Sequence, residues 1–319
     1  MKVIKIEKDG PKTFFVCWTL HDFCNFRCSY CPPGLNQGNR RAVTFEHVKK
    51  FYTVLRSKIG TETKLIIAFS GGEPTLHPEF IEIVKFLREH NCEVTMTTNG
   101  GKGLDWWEEI EPHIVNLVIS YHPEFSNFDK IYEKVKFLSE TCWVNVDFMM
   151  DPTRWDEVVG YANEFKKFKK NVGVVHLPIQ QNFGTLNEGL LSTYTAEQRE
   201  FLANPPNYYG DYIIPDNKRK QSGGFVGRGP MSVSFDNGVT EKLDYKKLIG
   251  QDINQFTGMT CNIGLEGLIL EFADVYRGYC HVGGKVANLL DEDFDLPIDP
   301  VICNKVRCAC SVDIEVSKF

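Results

Sequence analysis

The chain has 319 residues, of which 42% are apolar and 24% charged, and its formal net charge is −6. This length is enough for one large domain or two smaller ones with a buried core. The mild negative charge argues against nucleic acid or an anionic membrane as a partner, because both need clustered basic residues. The start, MKVIKIEKDG, lacks the apolar run of a secretion signal, and no stretch approaches the ~20 apolar residues of a membrane span. We therefore expect a cytoplasmic protein.

Strand-like runs alternate with helical patterns from residue 14 to about residue 180. The runs are FFVCWTL (14–20), KLIIAFS (64–70), EVTMTTN (93–99), NLVISY (116–121), WVNVDFMM (143–150) and VGVVHLPI (172–179). The first helical pattern, TFEHVKKFYTVLRSKIG, has Thr44 as its predicted N-cap. Six such units predict an α/β fold with a parallel sheet, either open and doubly wound or partly closed as a barrel. In both architectures, chemistry belongs at the C-terminal ends of the strands.

The alternation fades beyond residue 180. YTAEQREFLAN predicts a short helix capped by Thr195, and PDNKRKQSGGFVGRGP (215–230) predicts a solvated loop, with a lid as the alternative. The last segment carries five cysteines among short β-like runs. We predict a core over residues 1–190, connecting helix and loops over 191–254, and a small C-terminal α+β domain over 255–319.

The eleven cysteines fall into two groups and three single positions. The groups are Cys24, Cys28 and Cys31, and near the C-terminus Cys261, Cys280, Cys303, Cys308 and Cys310. In a reducing compartment, grouped cysteines indicate metal or redox work rather than disulfides. Cys17, Cys92 and Cys142 stand alone inside apolar runs and are predicted to be small buried residues.

The first group, in CNFRCSYC (24–31), predicts an open metal site. Three thiolates on one loop can each bind one iron of a [4Fe–4S] cluster and leave the fourth iron without a protein ligand. An open coordination position is typical of a catalytic metal site. The alternative from spacing alone is zinc, with His21 as the fourth ligand.

The second motif, FSGGEPTLHP, places Gly71, Gly72, Glu73 and Pro74 directly after the second strand. Glycines allow a backbone to approach a ligand closely, and a glutamate can accept hydrogen bonds from an ammonium group. The thiols and this loop lie at the same predicted sheet edge. They therefore predict a site for an amino-acid-like ligand that chelates the free iron.

These motifs resemble the radical S-adenosylmethionine superfamily: CxxxCxΦC after the first strand, GGEP and TTNG after the next two, and a serine on the fourth. The resemblance covers about residues 12–180 and implies a partial (β/α)6 TIM-like barrel with a [4Fe–4S] cluster on Cys24, Cys28 and Cys31. It places Tyr30 near the adenine, Gly71, Gly72 and Glu73 at the methionine amino group, and Asn99 and Ser120 at the ribose or carboxylate. The implied set of S-adenosylmethionine-binding residues is Tyr30, Gly71, Gly72, Glu73, Pro74, Asn99 and Ser120.

The same resemblance implies the chemistry. One-electron cleavage of the sulfonium would give a 5′-deoxyadenosyl radical that abstracts a substrate hydrogen, with the electron supplied by a donor such as flavodoxin or ferredoxin. The protein would position the cofactor and exclude water.

The C-terminal segment resembles the SPASM/twitch extensions of that superfamily, which hold auxiliary iron–sulfur clusters. Cys261, Cys280 and two or three of Cys303, Cys308 and Cys310 would form one auxiliary [4Fe–4S] site. This segment has five cysteines where a full SPASM set has more, and Val275 stands where the family has a glycine. A zinc knuckle is the alternative.

The substrate and the catalytic acid or base are not assigned by the sequence. Five polar residues at predicted strand ends are expected to face the presumed cavity; they are His122, His176, Tyr121, Asp147 and Asp151. They are candidates either for acid–base or substrate contacts or for ordinary satisfied polar groups. The interpretation we favour is oxidation, crosslinking or epimerisation of a peptide, and the alternative is dehydrogenation of a small alcohol or sugar. The competing class is a non-catalytic, metal-stabilised binding or electron-transfer module.

Overall fold

The computed structural model describes residues 2–8, 12–32, 34–38, 43–181, 189–215, 231–308 and 310–319. The predicted loop at 215–230 lies outside the described residues except for residue 215. The chain forms two compact units, which we call the terminal unit (residues 1–18, 43–68 and 225–319) and the sheet unit (residues 19–42 and 69–224). The predicted division at residues 190 and 254 stays a prediction.

The strands are β1 Val3–Lys8, β2 Thr13–Thr19, β3 Lys64–Ser70, β4 Cys92–Thr98, β5 Asn116–Tyr121, β6 Trp143–Met150, β7 Val172–Pro178, β8 Gln180–Gln181, β9 Gly189–Leu190, β10 Tyr208–Tyr209, β11 Met231–Phe235, β12 Thr240–Leu243, β13 Thr260–Cys261, β14 Gly267–Glu271, β15 Asp274–Tyr276, β16 Lys285–Asn288 and β17 Val301–Ile302. The α-helices are α1 Phe45–Ile59, α2 Phe80–Glu89, α3 Leu104–Ile110, α4 Phe128–Leu138, α5 Trp155–Phe165, α6 Ala196–Ala203, α7 Tyr245–Gly250 and α8 Ser311–Ile314. Two short 3₁₀ turns cover Pro74–Leu76 and Glu111–His113.

All six predicted strands are present, as β2 to β7, with bounds within one residue of the predicted ones. The predicted caps are confirmed as well. The side chain of Thr44 accepts a hydrogen bond from the His47 N–H, and that of Thr195 accepts one from the Gln198 N–H. Both caps are capping boxes, in which the third helical residue bonds back to the cap.

In the sheet unit, β4, β5, β6 and β7 are parallel neighbours, and β10 pairs antiparallel with β7. The register places Ser120 beside Asp147 and Asp147 beside Val175. Helices α4 and α5 connect successive strands, as parallel pairing requires. This is the predicted α/β architecture with a largely parallel sheet.

The terminal unit is built from short antiparallel strands. β1, β11 and β12 form one sheet, β14, β15 and β16 pair in that order, and β13 pairs with β17. The charged run VIKIEK was not predicted as a strand, but its Val3 and Ile6 are buried in the apolar core of this unit. Cys303 and Cys308 belong to the same core.

No helix among the residues described is both long enough and apolar enough to cross a membrane.

Candidate active site and metal centres

The ends of the sheet-unit strands enclose a cavity of about 370 Å³. Its wall includes nine of the predicted site residues: Cys24, Cys28, Cys31, Tyr30, Gly71, Gly72, Glu73, Asn99 and Ser120. Pro74 is not part of the wall; it begins the 3₁₀ turn behind Glu73 and is buried. The tertiary structure therefore brings together residues that are up to 96 positions apart in the sequence, from Cys24 to Ser120.

The cysteine loop is held by a local hydrogen bond and by a hydrogen bond to a residue far away in the sequence. The N–H of Cys31 donates to the carbonyl of Cys28 at 3.1 Å. The N–H of Ser29 donates to Glu124 Oε2 at 2.8 Å, which ties the loop to the segment after β5. Glu124 carried no signal in the sequence, because a surface glutamate is common and its partner is distant along the chain.

Burial raises the pKa of all three thiols, and that of Cys28 to about 12. At Cys24, hydrogen bonds from the Phe26 N–H (3.3 Å to Sγ) and from Asn99 (Nδ2 to Sγ 3.8 Å) oppose that rise. Thiols with raised pKa values are protonated at pH 7. Metal binding must therefore release their protons.

Within the described part of the chain, no three His, Cys, Asp or Glu side chains converge closely enough to hold one metal ion. His21, the fourth ligand of the zinc alternative, is not in the cavity wall; its Nδ1 accepts from the Phe23 N–H at 3.1 Å.

The two glycines of the loop are required by neighbouring protein atoms. Gly71 has a φ of 103°, and a Cβ there would overlap the side chain of Thr19. A Cβ on Gly72 would overlap the carbonyl oxygen of Phe23. The structure shows that Thr19, at the end of β2, and Phe23, just before the cysteine loop, approach these glycines closely. A close approach of a ligand to the same glycines stays a prediction.

The carboxylate of Glu73 is occupied by protein donors. Oε1 accepts from the Thr75 N–H and hydroxyl at 3.1 and 2.6 Å and from the Thr98 hydroxyl at 2.7 Å, and Oε2 accepts from the Asn99 N–H at 2.7 Å. A carboxylate offers about four lone-pair sites. Glu73 is 3% exposed, and burial raises its pKa, whereas these hydrogen bonds lower it. Glu73 therefore joins the glycine loop to the end of β4, with three of the four hydrogen bonds on Oε1 and one on Oε2.

An aromatic pair forms another part of the wall. The rings of Tyr30 and His122 are stacked, with centroids 5.9 Å apart, and the Tyr30 hydroxyl lies 3.0 Å from His122 Nδ1. Burial lowers the pKa of His122 to about 4, so this imidazole is neutral at pH 7. The pair offers a flat face and no charge.

The other candidate acids and bases do not line the cavity. Since side chains alternate along a strand, Ser120 faces the cavity and Tyr121 faces away, where it packs on Phe148 and Tyr161. For the same reason Leu177 lines the cavity and His176 packs against Phe201. The expectation that Tyr121 and His176 face the cavity is wrong.

Asp151 and Asp147 have different surroundings. Asp151 accepts hydrogen bonds from the N–H and hydroxyl of Thr153, both at 2.8 Å, and so shapes the turn before α5. Asp147 lies beside Ser120 in the sheet, two residues before the wall residue Met149. Burial raises its pKa to about 7.

Much of the remaining wall is apolar, and sequence reasoning did not find it. These residues are Phe26, Pro32, Leu35, Met149, Leu177, Pro178 and Ile179. Apolar residues at strand ends look like any other core residue in a sequence, so no signal marked them.

A second cavity, in the terminal unit, is lined by Cys261, Cys280, Cys303 and Cys308 together with apolar residues, Asp313, Lys305 and Lys318. Cys310 is not in its wall. Burial raises the pKa of Cys261, Cys280 and Cys308, that of Cys280 to about 12. The donor set suits a four-thiolate centre. The cavity has a volume of about 20 Å³, room for a single water, so a cluster would require the wall residues to move apart.

Of the three single cysteines, Cys92 and Cys142 are fully buried, as predicted. Cys17 is only partly buried, and its Sγ lies 2.9 Å from the Tyr279 hydroxyl.

Comparison with known proteins gives a family model, curated relatives and solved structures that are similar to this chain. Residues 18–134 match the family model described as the Radical SAM superfamily. GTP 3′,8-cyclase of Klebsiella pneumoniae (strain 342) is 32% identical over 116 residues, which are 34% of this chain and 34% of that protein. GTP 3′,8-cyclase of Pasteurella multocida (strain Pm70) is 30% identical over 113 residues, 33% of each chain. The matched region thus spans about a third of the length of these curated relatives.

Among solved structures, tagged anSMEcpe with bound AdoMet is similar in fold, with a TM-score of 0.51 at 18% identity over 88% of this chain and 78% of that chain. At this identity the likeness supports the fold alone. The family model and the fold agree with the predicted parallel α/β architecture. The match to the Radical SAM superfamily model thus extends over residues 18–134, a little over a third of this chain.

Proposed function

We propose that this chain is a radical SAM enzyme, which uses S-adenosylmethionine and a [4Fe–4S] cluster to abstract a hydrogen atom from its substrate. The supporting observation is one cavity that holds the three thiols, the glycine loop, Asn99 and Ser120 together. When bound, the cofactor would supply a 5′-deoxyadenosyl radical after one-electron cleavage of its sulfonium, with the electron from flavodoxin or ferredoxin.

The protein's own residues have distinct roles in this proposal. Cys24, Cys28 and Cys31 bind three irons, and the N–H groups directed at Cys24 Sγ stabilise its thiolate. The stacked Tyr30–His122 pair provides an uncharged face for the adenine. Because Glu73 is already hydrogen-bonded, we assign it to positioning, and assign the contact with the methionine amino group to the backbone of this loop.

In the terminal unit, Cys261, Cys280, Cys303 and Cys308 bind one auxiliary [4Fe–4S] cluster, and Cys310 is the spare cysteine. Support comes from the four thiols that share one cavity wall. A structural zinc site is the alternative, and metal analysis separates the two: about four irons per chain indicate one cluster, about eight indicate two, and zinc near one per chain indicates the knuckle.

We propose an uncharged, largely apolar substrate group, such as a peptide side chain, that is oxidised, crosslinked or epimerised. The apolar wall formed by Leu35, Met149 and Leu177 suits such a group. A small alcohol or sugar is the alternative, for which the wall residues Asn36, Thr97 and Gln180 offer hydrogen-bonding groups. The curated relatives are GTP cyclases, yet the described wall contains no Lys or Arg, the usual partners of phosphates.

The enzymatic proposal is tested with protein purified and reconstituted anaerobically with iron and sulfide. Dithionite and S-adenosylmethionine are added, and 5′-deoxyadenosine is measured by chromatography. We expect the nucleoside from the intact protein and none from the variant in which Cys24, Cys28 and Cys31 are alanine. Cys310→Ala is the matched control and should keep the activity. Fully loaded protein that forms no nucleoside would be a binding or electron-transfer module instead.

The substrate class is tested by adding small molecules from the host, separated into peptide and non-peptide pools. The peptide proposal predicts that the peptide pool stimulates nucleoside formation. Stimulation by the non-peptide pool alone would favour an alcohol or sugar substrate.

A further inference from the structure

A buried ammonium group lies beside the four-thiol cavity of the terminal unit. Lys318 is 1% exposed, and its side chain belongs to the cavity wall. Its Nζ donates hydrogen bonds to the backbone carbonyls of Asp313, Ile314 and Val316 at 2.7, 2.9 and 2.7 Å. The buried ammonium therefore supplies hydrogen-bond donors to backbone carbonyls at the C-terminal end of α8.

These partners carry no formal charge, and neither does the Phe256 ring, whose centroid lies 5.0 Å from Nζ. The ion pairs found among the described residues do not include Lys318. Asp313, also on the cavity wall, directs its carboxylate to the N–H groups of Tyr279 and Cys280 at 3.2 and 2.6 Å. Asp313 is nevertheless within electrostatic reach of Lys318, whose positive charge opposes the rise that burial gives the pKa of Asp313. The wall of this cavity therefore holds one buried cation and one buried acidic group.

The backbone fixes Lys318 next to the thiols. Lys318 forms isolated antiparallel β-bridges with Ile6 and with Cys261. Its N–H donates to the Ile6 carbonyl at 3.0 Å, and its carbonyl accepts from the Ile6 N–H at 2.8 Å. Its positive charge also opposes the effect of burial on the pKa of the Cys261 and Cys308 thiols. Lys318 thus lies within electrostatic reach of two of the four cysteines.

We propose that Lys318 is the charge partner of the auxiliary cluster and raises its reduction potential. This inference rests on the auxiliary cluster of the proposed function. A cluster held by four thiolates is anionic, and one-electron reduction adds a further negative charge. A nearby cation in a dry environment stabilises the reduced form more than the oxidised form, so the potential becomes more positive.

The test uses full-length protein in which Cys24, Cys28 and Cys31 are alanine, so that only the auxiliary site can hold a cluster. Its iron, sulfide and zinc contents are measured first. Its midpoint potential is then determined by redox titration followed by electron paramagnetic resonance, with Lys318 intact and in Lys318→Met and Lys318→Gln. Lys305→Met is the matched control, because Lys305 lines the same cavity but is exposed and its charge is screened by water.

We expect the two neutral variants to keep about four irons and to have a potential more negative by at least about 59 mV, a tenfold change in the one-electron equilibrium. The Lys305→Met control should leave the potential nearly unchanged. Equal potentials in all variants would overturn the role of Lys318 while leaving the auxiliary cluster in place. Zinc without iron would overturn both. If neither neutral variant folds after reconstitution with iron and sulfide, the ammonium of Lys318 serves its three backbone carbonyls and not the cluster. The proposal then fails.

Discussion

The two groups of cysteines in this chain differ in how the backbone brings their thiols together. Cys24, Cys28 and Cys31 come from one loop of eight residues and border a cavity of about 370 Å³. The four cysteines of the terminal unit span 48 positions, from Cys261 to Cys308, and enclose about 20 Å³. One site leaves room for a ligand beside its thiols, and the other does not.

The difference shows what each site is suited for. Three ligands and free space fit chemistry on an added molecule, whereas four ligands and no space fit electron transfer or structural support. The second site also draws on β13, the segment after β17, and the last turn before the C-terminus. It should therefore stabilise the terminal unit as a metal cross-link does.

The sharpest test removes one thiol from each site. We expect Cys31→Ala to reduce 5′-deoxyadenosine formation by at least about 1000-fold, roughly 4 kcal/mol of barrier, while the terminal site keeps its iron. Cys280→Ala should lose the terminal iron and retain nucleoside formation without substrate. Iron analysis and chromatography of the nucleoside measure both. If both variants lost nucleoside formation to the same extent, the proposed difference in role between the two groups of cysteines would be wrong.

The next test concerns the packing of the open site. Gly72→Ala places a methyl group on the Phe23 carbonyl oxygen, so we expect the free energy of unfolding to fall by about 2–4 kcal/mol. Gly160→Ala is the control, because a Cβ there meets no atom and alanine favours the helix by about 0.5–1 kcal/mol. Urea unfolding measures both. An unchanged stability in Gly72→Ala would mean that the loop is not held against the cysteine segment.

A smaller effect is expected from Glu73→Gln. The amide replaces one acceptor oxygen with a donor and leaves the Thr98 hydroxyl or the Asn99 N–H without its partner, at a cost of about 1–3 kcal/mol. We expect lower stability and weaker S-adenosylmethionine binding in equilibrium dialysis. The exposed Glu89→Gln is the control. Weaker binding at unchanged stability would instead assign Glu73 a direct contact with the cofactor.

The smallest effect is a pH dependence from Asp147. Its folded pKa of about 7 lies above the ordinary value of 3.8, so the folded state binds more protons between those values. The contribution of protonated Asp147 to the free energy of unfolding is therefore complete below about pH 4 and is lost as pH rises through about 7. Asp147→Asn should be more stable than wild type by roughly 1–3 kcal/mol at pH 8, and by less at pH 5, in urea unfolding. A difference that does not grow with pH would contradict this.

Local patterns in the sequence predicted the structure of this chain most accurately. The strands β2 to β7 follow from apolar runs bounded by turn residues, and Thr44 and Thr195 cap their helices through partners three residues away. The sequence did not predict β1, because its charged segment VIKIEK pairs with β11, which lies far along the chain. Local propensity does not record such a distant partner.

For the site, the chain order of the motifs was enough to predict that they share one edge of a sheet, since parallel strands end on the same side. Spacing alone left two interpretations of the three thiols, a cluster with an open iron position and a zinc site completed by His21. Only the tertiary structure decided that Gly72 faces the Phe23 carbonyl, that Glu73 bonds to Asn99, and that Tyr121 and His176 face away from the cavity.

The same division holds at the C-terminus. The sequence determined that cysteines are concentrated there, but not which four of the five meet, because that depends on how Cys261 and Cys308 are folded around Lys318. The physical reason is that ligand chemistry is a property of residue type, which a sequence states directly. Contact between residues far apart depends on the free energy of packing the whole chain, and no short pattern contains it.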